Sequence, residues 1–591
     1  MIVFRCKSIN LRHAWVLFAG LLLSACSQPQ VKPESQEPVA TVSPARPLPD
    51  ESGQRPAPEA RQEKLTAPLL YGVLLGEIAG QRGRMDVSGA SYLQAAKLSS
   101  DPRIAERALK ISIYAKQPGL AYQAAKRWVE LAPDNTEARQ TLAVLALRLD
   151  QQQEALEQFE YLLQNDKRGN GAPYQSMLAL LAREPDKERA LQVMAQLVAL
   201  RPQDPQAHFA YARLAVHAED WPLAEQQVER CLEMKPGWAE ALILQAQVNL
   251  KQDRGSTARA QLEAALQREP DNMELQQAYA RLLVDLEDFE GARAQYRSLL
   301  KRQPDDAQVV YSLALLALEA GDLKEARTHF KKLVALDFQT QQAYYYLGAI
   351  AEEQNKPERA LQWYNKVDSE SDHWIEVQIR IARLEAQAGD VKAARDRLRT
   401  LRLAQPGQAQ RLFLVEGEIL SEIEWYEEAY KLYSDYLETR PDDLEILYAR
   451  SLVAENLDRL DQAEKDLRAV LKVEPDNTRA LNALGYTLAD RTDRYDEALV
   501  YVQKAFDQTP EDPAVIDSMG WVLYRLGRLQ EARDHLQKAY DITGDSEIAA
   551  HLGEVIWAMG DKDAARALWD KARKETPGDP VLEETVRRFS P

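Results

Sequence analysis

The sequence predicts an all-α solenoid of stacked helix pairs, and three periodic signals carry that prediction. One turn recurs as "EDWPLA", "EDFEGA", "GDLKEA", "NKPERA", "GDVKAA", "EWYEEA", "DRLDQA", "DRYDEA", "GRLQEA" and "GDKDAA". Its closing alanines run from Ala224 through Ala292, Ala326, Ala360, Ala394, Ala429, Ala463, Ala498 and Ala532 to Ala565, with Ala121, Ala155, Ala190 and Ala258 in the same phase. The step is 34 residues, occasionally 33 or 35. Twelve residues after most of these alanines stands a proline, as at Pro133, Pro236, Pro304, Pro406, Pro475 and Pro577. Twelve residues before many of them stands another small residue, as at Ala212, Ala280, Ala314, Gly348, Gly417, Gly520 and Gly553. A fixed period of this length, sustained fourteen times, is the mark of an array in which each unit buries its apolar face against its neighbours.

At the N-terminus, Arg5, Lys7 and Arg12 precede the apolar run "AWVLFAGLLL", which ends in Leu23-Ser24-Ala25-Cys26. The run is too short to span a bilayer and fits a secretory signal. Its end resembles the lipobox of bacterial lipoproteins. That resemblance implies cleavage before Cys26 and lipidation of the Cys26 sulfur, which anchors the mature chain to a membrane through its acyl chains. Ser27, rather than Asp, follows the cysteine, and by the bacterial sorting habit this implies an outer-membrane location facing the periplasm. Loss of Arg5, Lys7 and Arg12, with no acid among the first 25 residues, takes the net charge from −18 to −21. A surface so acidic argues against a nucleic-acid partner and against a polybasic grip on lipid.

Residues 27–62 hold eight prolines and no aromatic residue. They cannot bury enough apolar surface to offset the entropy of ordering and are expected to form a tether, spanning about 35 Å as a flexible coil. Residues 63–100 are expected to form a divergent helical cap, with helices over Leu65 to Ala79 and Ser91 to Leu98. Residues 101–580 carry about fourteen repeats. Within each, apolar residues recur at spacings of three and four, as in "AQVVYSLALLALEAGDLKEARTHFKKLVALD", and a Gly-Asp or Asp-Arg turn divides the segment into two helices. Proline ends the second helix. Residues 581–591 finish the array as a capping helix. Departures from the pattern are Leu178 at a small-residue place, Phe338 and Asp372 in place of proline, and one extra residue near Arg491.

The period and the small–small–proline pattern resemble the tetratricopeptide repeat. The resemblance covers roughly residues 100 to 580 and implies a right-handed superhelix whose first helices line a groove. The groove places implied are the second, fifth, ninth, twelfth and thirteenth of each repeat. Early in the chain they hold a mixture, including Phe209, Arg213, Gln247, Arg281, Tyr311, Tyr345 and Arg383. Late in the chain they hold Asn482, Tyr486, Asp517, Trp521, Tyr524, Arg525, Glu554 and Trp557. Tyr, Trp and Arg dominate binding energetics at interfaces, so this late set is the candidate protein-binding groove. Asp517 and Arg525 would be costly to bury alone; Trp521 and Trp557 fit either groove or core. The Lys–Asn carboxylate clamp of chaperone-binding members is not supported, because Tyr486 stands at the ninth place after Asn482.

No nucleophile elbow, zinc-protease helix, phosphate loop or dinucleotide fingerprint occurs in the sequence. The histidines fall mostly in different repeats and Cys231 sits at a small-residue place, so packing roles are expected, with no catalytic residue, metal or cofactor. The layout of signal, lipobox, Pro-rich leash and uninterrupted repeats also resembles the outer-membrane lipoprotein adaptors of carboxyl-terminal processing proteases. That resemblance implies a non-catalytic scaffold that binds and activates such a periplasmic serine protease and recruits its peptidoglycan hydrolase substrates. An assembly or pilotin-type lipoprotein of a secretion, pilus or polysaccharide-export machine, and an enzyme with a site in the groove, are the alternative classes.

Overall fold

The computed structural model describes residues 66–165 and 171–589; Cys26, the signal and the tether lie outside them. Among the described residues there are 31 α-helices and no strand. They run as antiparallel pairs, from Ala67–Gln81 with Met85–Leu98 to Ser546–Ala558 with Lys562–Glu575, and end in the single helix Pro580–Phe589. The leading pair departs from expectation in its second helix, which opens at Met85 rather than Ser91. The chain divides into two compact units, the boundary falling between Leu316 and Ala317 inside the helix Ala307–Glu319. Within each unit consecutive pairs pack on one another, as Thr478–Arg491 with Tyr495–Gln508 does on Pro513–Arg525.

The turn inside each repeat explains its sequence. The first helix closes in a Schellman arrangement: the Asp288 N–H donates to the Leu283 carbonyl at 2.8 Å and the Glu287 N–H to that of Val284 at 2.9 Å. The intervening residue takes a left-handed backbone, with φ of 60° at Glu287 and 71° at Gly321. Glycine meets that demand without steric cost. The aspartate that follows caps the second helix: Asp288 accepts from the Gly291 N–H at 3.0 Å, and Asp390 from that of Ala393 at 3.0 Å. "Gly-Asp" is therefore a stop signal followed by a start signal. At the joins between repeats, Asn135, Asn272 and Asn477, each two residues beyond the proline, cap the next first helix in the same way.

Where the pattern breaks, the geometry changes. At Phe338 the join uses two left-handed residues, Asp337 and Gln339. Before Asp372 the second helix is cut to eight residues, Pro357–Tyr364. The extra residue near Arg491 replaces the left-handed turn with an extended Thr492. Leu178 sits in a first helix of only ten residues, Ala172–Leu181.

The small residue of the first helix faces a large one sixteen or seventeen positions later on the second. A methyl group added at Gly348, Gly417 or Gly553 would overlap the side chain of Tyr364, Tyr433 or Trp569; at Gly485 and Gly520 it would meet Val502 and Leu536. The large residues are buried, with Tyr364 at 0% and Trp569 at 1% exposure. Two of them also bond to the helix that they cross: the Tyr433 hydroxyl donates to the Leu414 carbonyl at 3.2 Å, and the Trp569 indole N–H to that of Ala550 at 3.4 Å. Cys231 belongs to the same kind of seam, in one cluster with Ala212 and Val228. Its burial pushes the thiol up to about 12, so it stays protonated and unreactive at neutral pH.

Gly553→Ala should lower stability by about 1–3 kcal/mol through overpacking, read as a shift of the urea midpoint. Trp569→Leu should lower it separately, and the double variant should lose less than the sum of the two. Simple additivity would mean that the two side chains are not coupled.

Candidate functional site in the last repeats

In the unit that starts at Ala317, three consecutive first helices carry the late candidate residues: Thr478–Arg491, Pro513–Arg525 and Ser546–Ala558. At the centre, the Asp517 carboxylate meets His551 Nδ1 at 3.0 Å. The two residues are one 34-residue step apart and only 1% and 4% exposed. The His551 ring stacks on Trp521, with centroids 4.3 Å apart and planes at 28°. The Trp521 indole N–H donates to Asp490 Oδ1 at 3.2 Å. Arg525 donates to the Asp490 carbonyl at 3.1 Å and to the Tyr495 hydroxyl at 2.7 Å, with its guanidinium 4.8 Å from the Tyr495 ring centroid.

Asp517, Trp521 and His551 thus form a buried floor. Asn482, Tyr486, Asp490, Tyr524 and Arg525 are half-buried around it. Tyr524 lies with its ring 5.2 Å from Trp521. The Asn482 side-chain oxygen is buried with no hydrogen-bond partner. Asp517, a groove candidate because its charge would be costly to bury alone, is buried but not alone, since His551 supplies the partner. Arg525 is half-buried for the same kind of reason, its donors being used by Asp490 and Tyr495.

Glu554 is also buried rather than open. It accepts from Arg588 of the terminal helix and from the Thr585 hydroxyl. Trp557 leaves the site altogether. Its ring lies 5.8 Å from Trp569 and 5.7 Å from Phe589, with Lys562 and Arg566 about it at 5.1 and 5.0 Å. Trp557 and the helix Pro580–Phe589 pack over the pair Ser546–Ala558 and Lys562–Glu575.

His551, expected only to pack, is the residue that the groove pattern misses. Its place is the sixth of the repeat, outside the five groove places. The signal in the sequence is its 34-residue offset from Asp517, which stacks the pair on adjacent first helices.

The electrostatics of this cluster share one direction. Burial alone would pull the His551 pKa down, but Asp517 more than offsets it and the net shift is upward. Burial pushes Glu455, Glu547 and Glu554 up as well. The Tyr486 phenol is driven well above its ordinary range by burial and by the carboxylates of Asp490, Glu547, Asp517 and Glu455. Each group holds its proton more tightly in the folded state. The His551 contribution is fully present below the unfolded histidine value of about 6.5 and is lost as pH rises through the higher folded value; the glutamates act with the same sign from about 4.3 upward. The urea midpoint, followed by Trp fluorescence, should therefore fall as pH rises above about 6.5. His551→Gln should flatten the upper part of that slope; an unchanged slope would assign it to other groups.

Models of the tetratricopeptide repeat match residues 93–291, 278–339 and 448–513. The TPR repeat-containing protein PA4667 of Pseudomonas aeruginosa is 39% identical over 551 residues, which is 92% of each chain. Among solved structures, a thermophilic TPR protein of Thermus thermophilus, TTC0263, is 24% identical with a TM-score of 0.29, covering 31% of this chain and 98% of its own. Yeast Tom70 is 13% identical with a TM-score of 0.29, covering 88% of this chain and 94% of its own. With repeat models matching across both units and a relative of that identity along nearly the whole length, the chain belongs to the tetratricopeptide-repeat family.

Proposed function

We propose that this protein is a non-catalytic scaffold for protein partners, held by lipid on Cys26 at the outer membrane and facing the periplasm. The observation that carries the reading is the surface of the last repeats. Tyr486, Tyr524 and Arg525 are held half-buried over a floor fixed by the Asp517–His551 pair and the Trp521 stack. Such a surface loses little side-chain entropy on binding, and its residue types are those that supply most interface energy. The lipobox, the tether and the uninterrupted repeats support the membrane-anchored adaptor form of this reading.

The layout resembles that of LbcA, the Pseudomonas outer-membrane lipoprotein that partners the carboxyl-terminal processing protease CtpA. On that resemblance, the chain binds a periplasmic serine protease of that family together with its peptidoglycan hydrolase substrates. Holding both on one tethered array raises their effective concentration without any new contact between them.

Cys26→Ser should release the protein from membrane fractions; continued sedimentation with membranes would remove the anchor from the reading. Arg525→Ala and Tyr524→Ala should each weaken capture of the protease about ten-fold, equal to about 1.4 kcal/mol, with the helical circular dichroism intact. Unchanged capture would place the binding surface elsewhere. Recovery of secretin or export subunits instead of a protease would replace the adaptor by an assembly lipoprotein.

A further inference from the structure

In the unit that ends at Leu316, the first helices Ala172–Leu181, Pro205–Ala218 and Ala239–Lys251 border a cleft of about 470 Å3. Its floor is apolar: Tyr174 and Leu178 are each 9% exposed and Trp238 is 7% exposed. The half-exposed Phe209 ring lies 4.5 Å from that of Trp238. Two cations stand over these rings. The Arg213 guanidinium is 6.0 Å from the Phe209 centroid, and the Lys235 ammonium is 4.4 Å from that of Trp238. The Tyr174 hydroxyl is already committed, donating to Asp204 at 2.5 Å.

The cleft presents two cations in a chain that is acidic overall. Acids outnumber bases 92 to 74, and several other first-helix arginines use that excess: Arg148 with Glu184 at 2.8 Å, Arg380 with Glu352 at 3.1 Å, Arg450 with Asp466 at 2.8 Å and Arg479 with Glu445 at 2.7 Å. Arg213 and Lys235 form no ion pair with a carboxylate among the described residues. Glu240, the acid on the rim, is exposed and bonds to neither. Cations left without acids, above aromatic faces and an apolar floor, complement a ligand that joins a carboxylate to an apolar group. The volume suits one large side chain and the backbone beside it, being toward the lower end of the roughly 300–1,000 Å3 of ligand clefts.

We propose that this cleft binds an extended segment of a partner polypeptide, seating an aromatic or large aliphatic side chain on Phe209, Leu178 and Trp238 and placing an adjacent Asp or Glu on Arg213 and Lys235. It deepens, and rests on, the reading of the chain as a protein-binding scaffold. It gives that scaffold a second contact, outside the last repeats, selective for acidic–apolar sequence.

The test uses the purified full chain and fluorescein-labelled, end-capped peptides Gly-Ser-Glu-Phe-Ser-Gly, its Lys-for-Glu form and its Ala-for-Phe form, followed by fluorescence polarisation. The Glu-Phe peptide should bind at least about ten-fold more tightly than either of the others. Arg213→Glu should weaken it by a similar factor and favour the Lys form, and Arg213→Gln should fall between. Circular dichroism checks both variants for folding. Equal binding of the three peptides, no binding at millimolar concentration, or an unchanged preference in Arg213→Glu would overturn the proposal. Peptide discrimination without capture of any protein partner would remove the scaffold reading and keep the site. Protease capture with no peptide discrimination would do the reverse.

Discussion

The close crossing of the two helices in each repeat is the constraint on which the rest depends. A small residue on the first helix lets its backbone approach the second, and a large residue on the second fills the space that the approach leaves. Gly417 with Tyr433 and Gly553 with Trp569 are the tight cases; Ala212 with Val228 is a looser form of the same seam. Neither partner is useful alone. Without the glycine the ring has no room, and without the ring the crossing encloses a void. Interiors at crystal-like density respond to a single methylene, so this seam sets the angle between the two helices and the direction in which the next pair is received.

The polar architecture follows from that stacking. Once consecutive first helices lie side by side, residues one period apart become neighbours, and charge that looks scattered in sequence becomes paired. Asp517 finds His551, and Glu445 finds Arg479, at offsets of 34 residues. The Asp517–His551 pair is closed from solvent and stacked under Trp521. It does for the binding surface what the glycine–aromatic seam does for the fold, holding side chains at one geometry before any partner arrives. The same burial drives the neighbouring carboxyls upward, so the stability of this region is linked to protonation.

Much of this is legible in the chain because it is local or strictly periodic. The helix pairs, the Gly-Asp turns and the small-residue places depend on backbone dihedrals, caps and one repeating contact, which each repeat states again. The breaks at Phe338 and Asp372 are visible as missing prolines, although not the form they take, because a second helix cut short at Tyr364 depends on packing over several residues. The candidate site is less legible. A groove place names a residue's side of the helix but not its partner. The pattern places Asp517 in the groove, gives His551 a packing role and leaves Trp557 between groove and core; in the structure Asp517 is buried against His551, and Trp557 packs on Trp569 and Phe589.

The sequence by itself determined the repeat, its phase and the chemistry of its turns, since these follow from short-range sterics and hydrogen bonding. Only the tertiary structure decided which charges are neutralised and which remain available. Asp517 is paired with a histidine one repeat away, whereas Arg213 forms no ion pair with a carboxylate among the described residues. The reason is physical: ion pairing is governed by distance across neighbouring helices and by access to water, and neither is written into the spacing of residues along one chain.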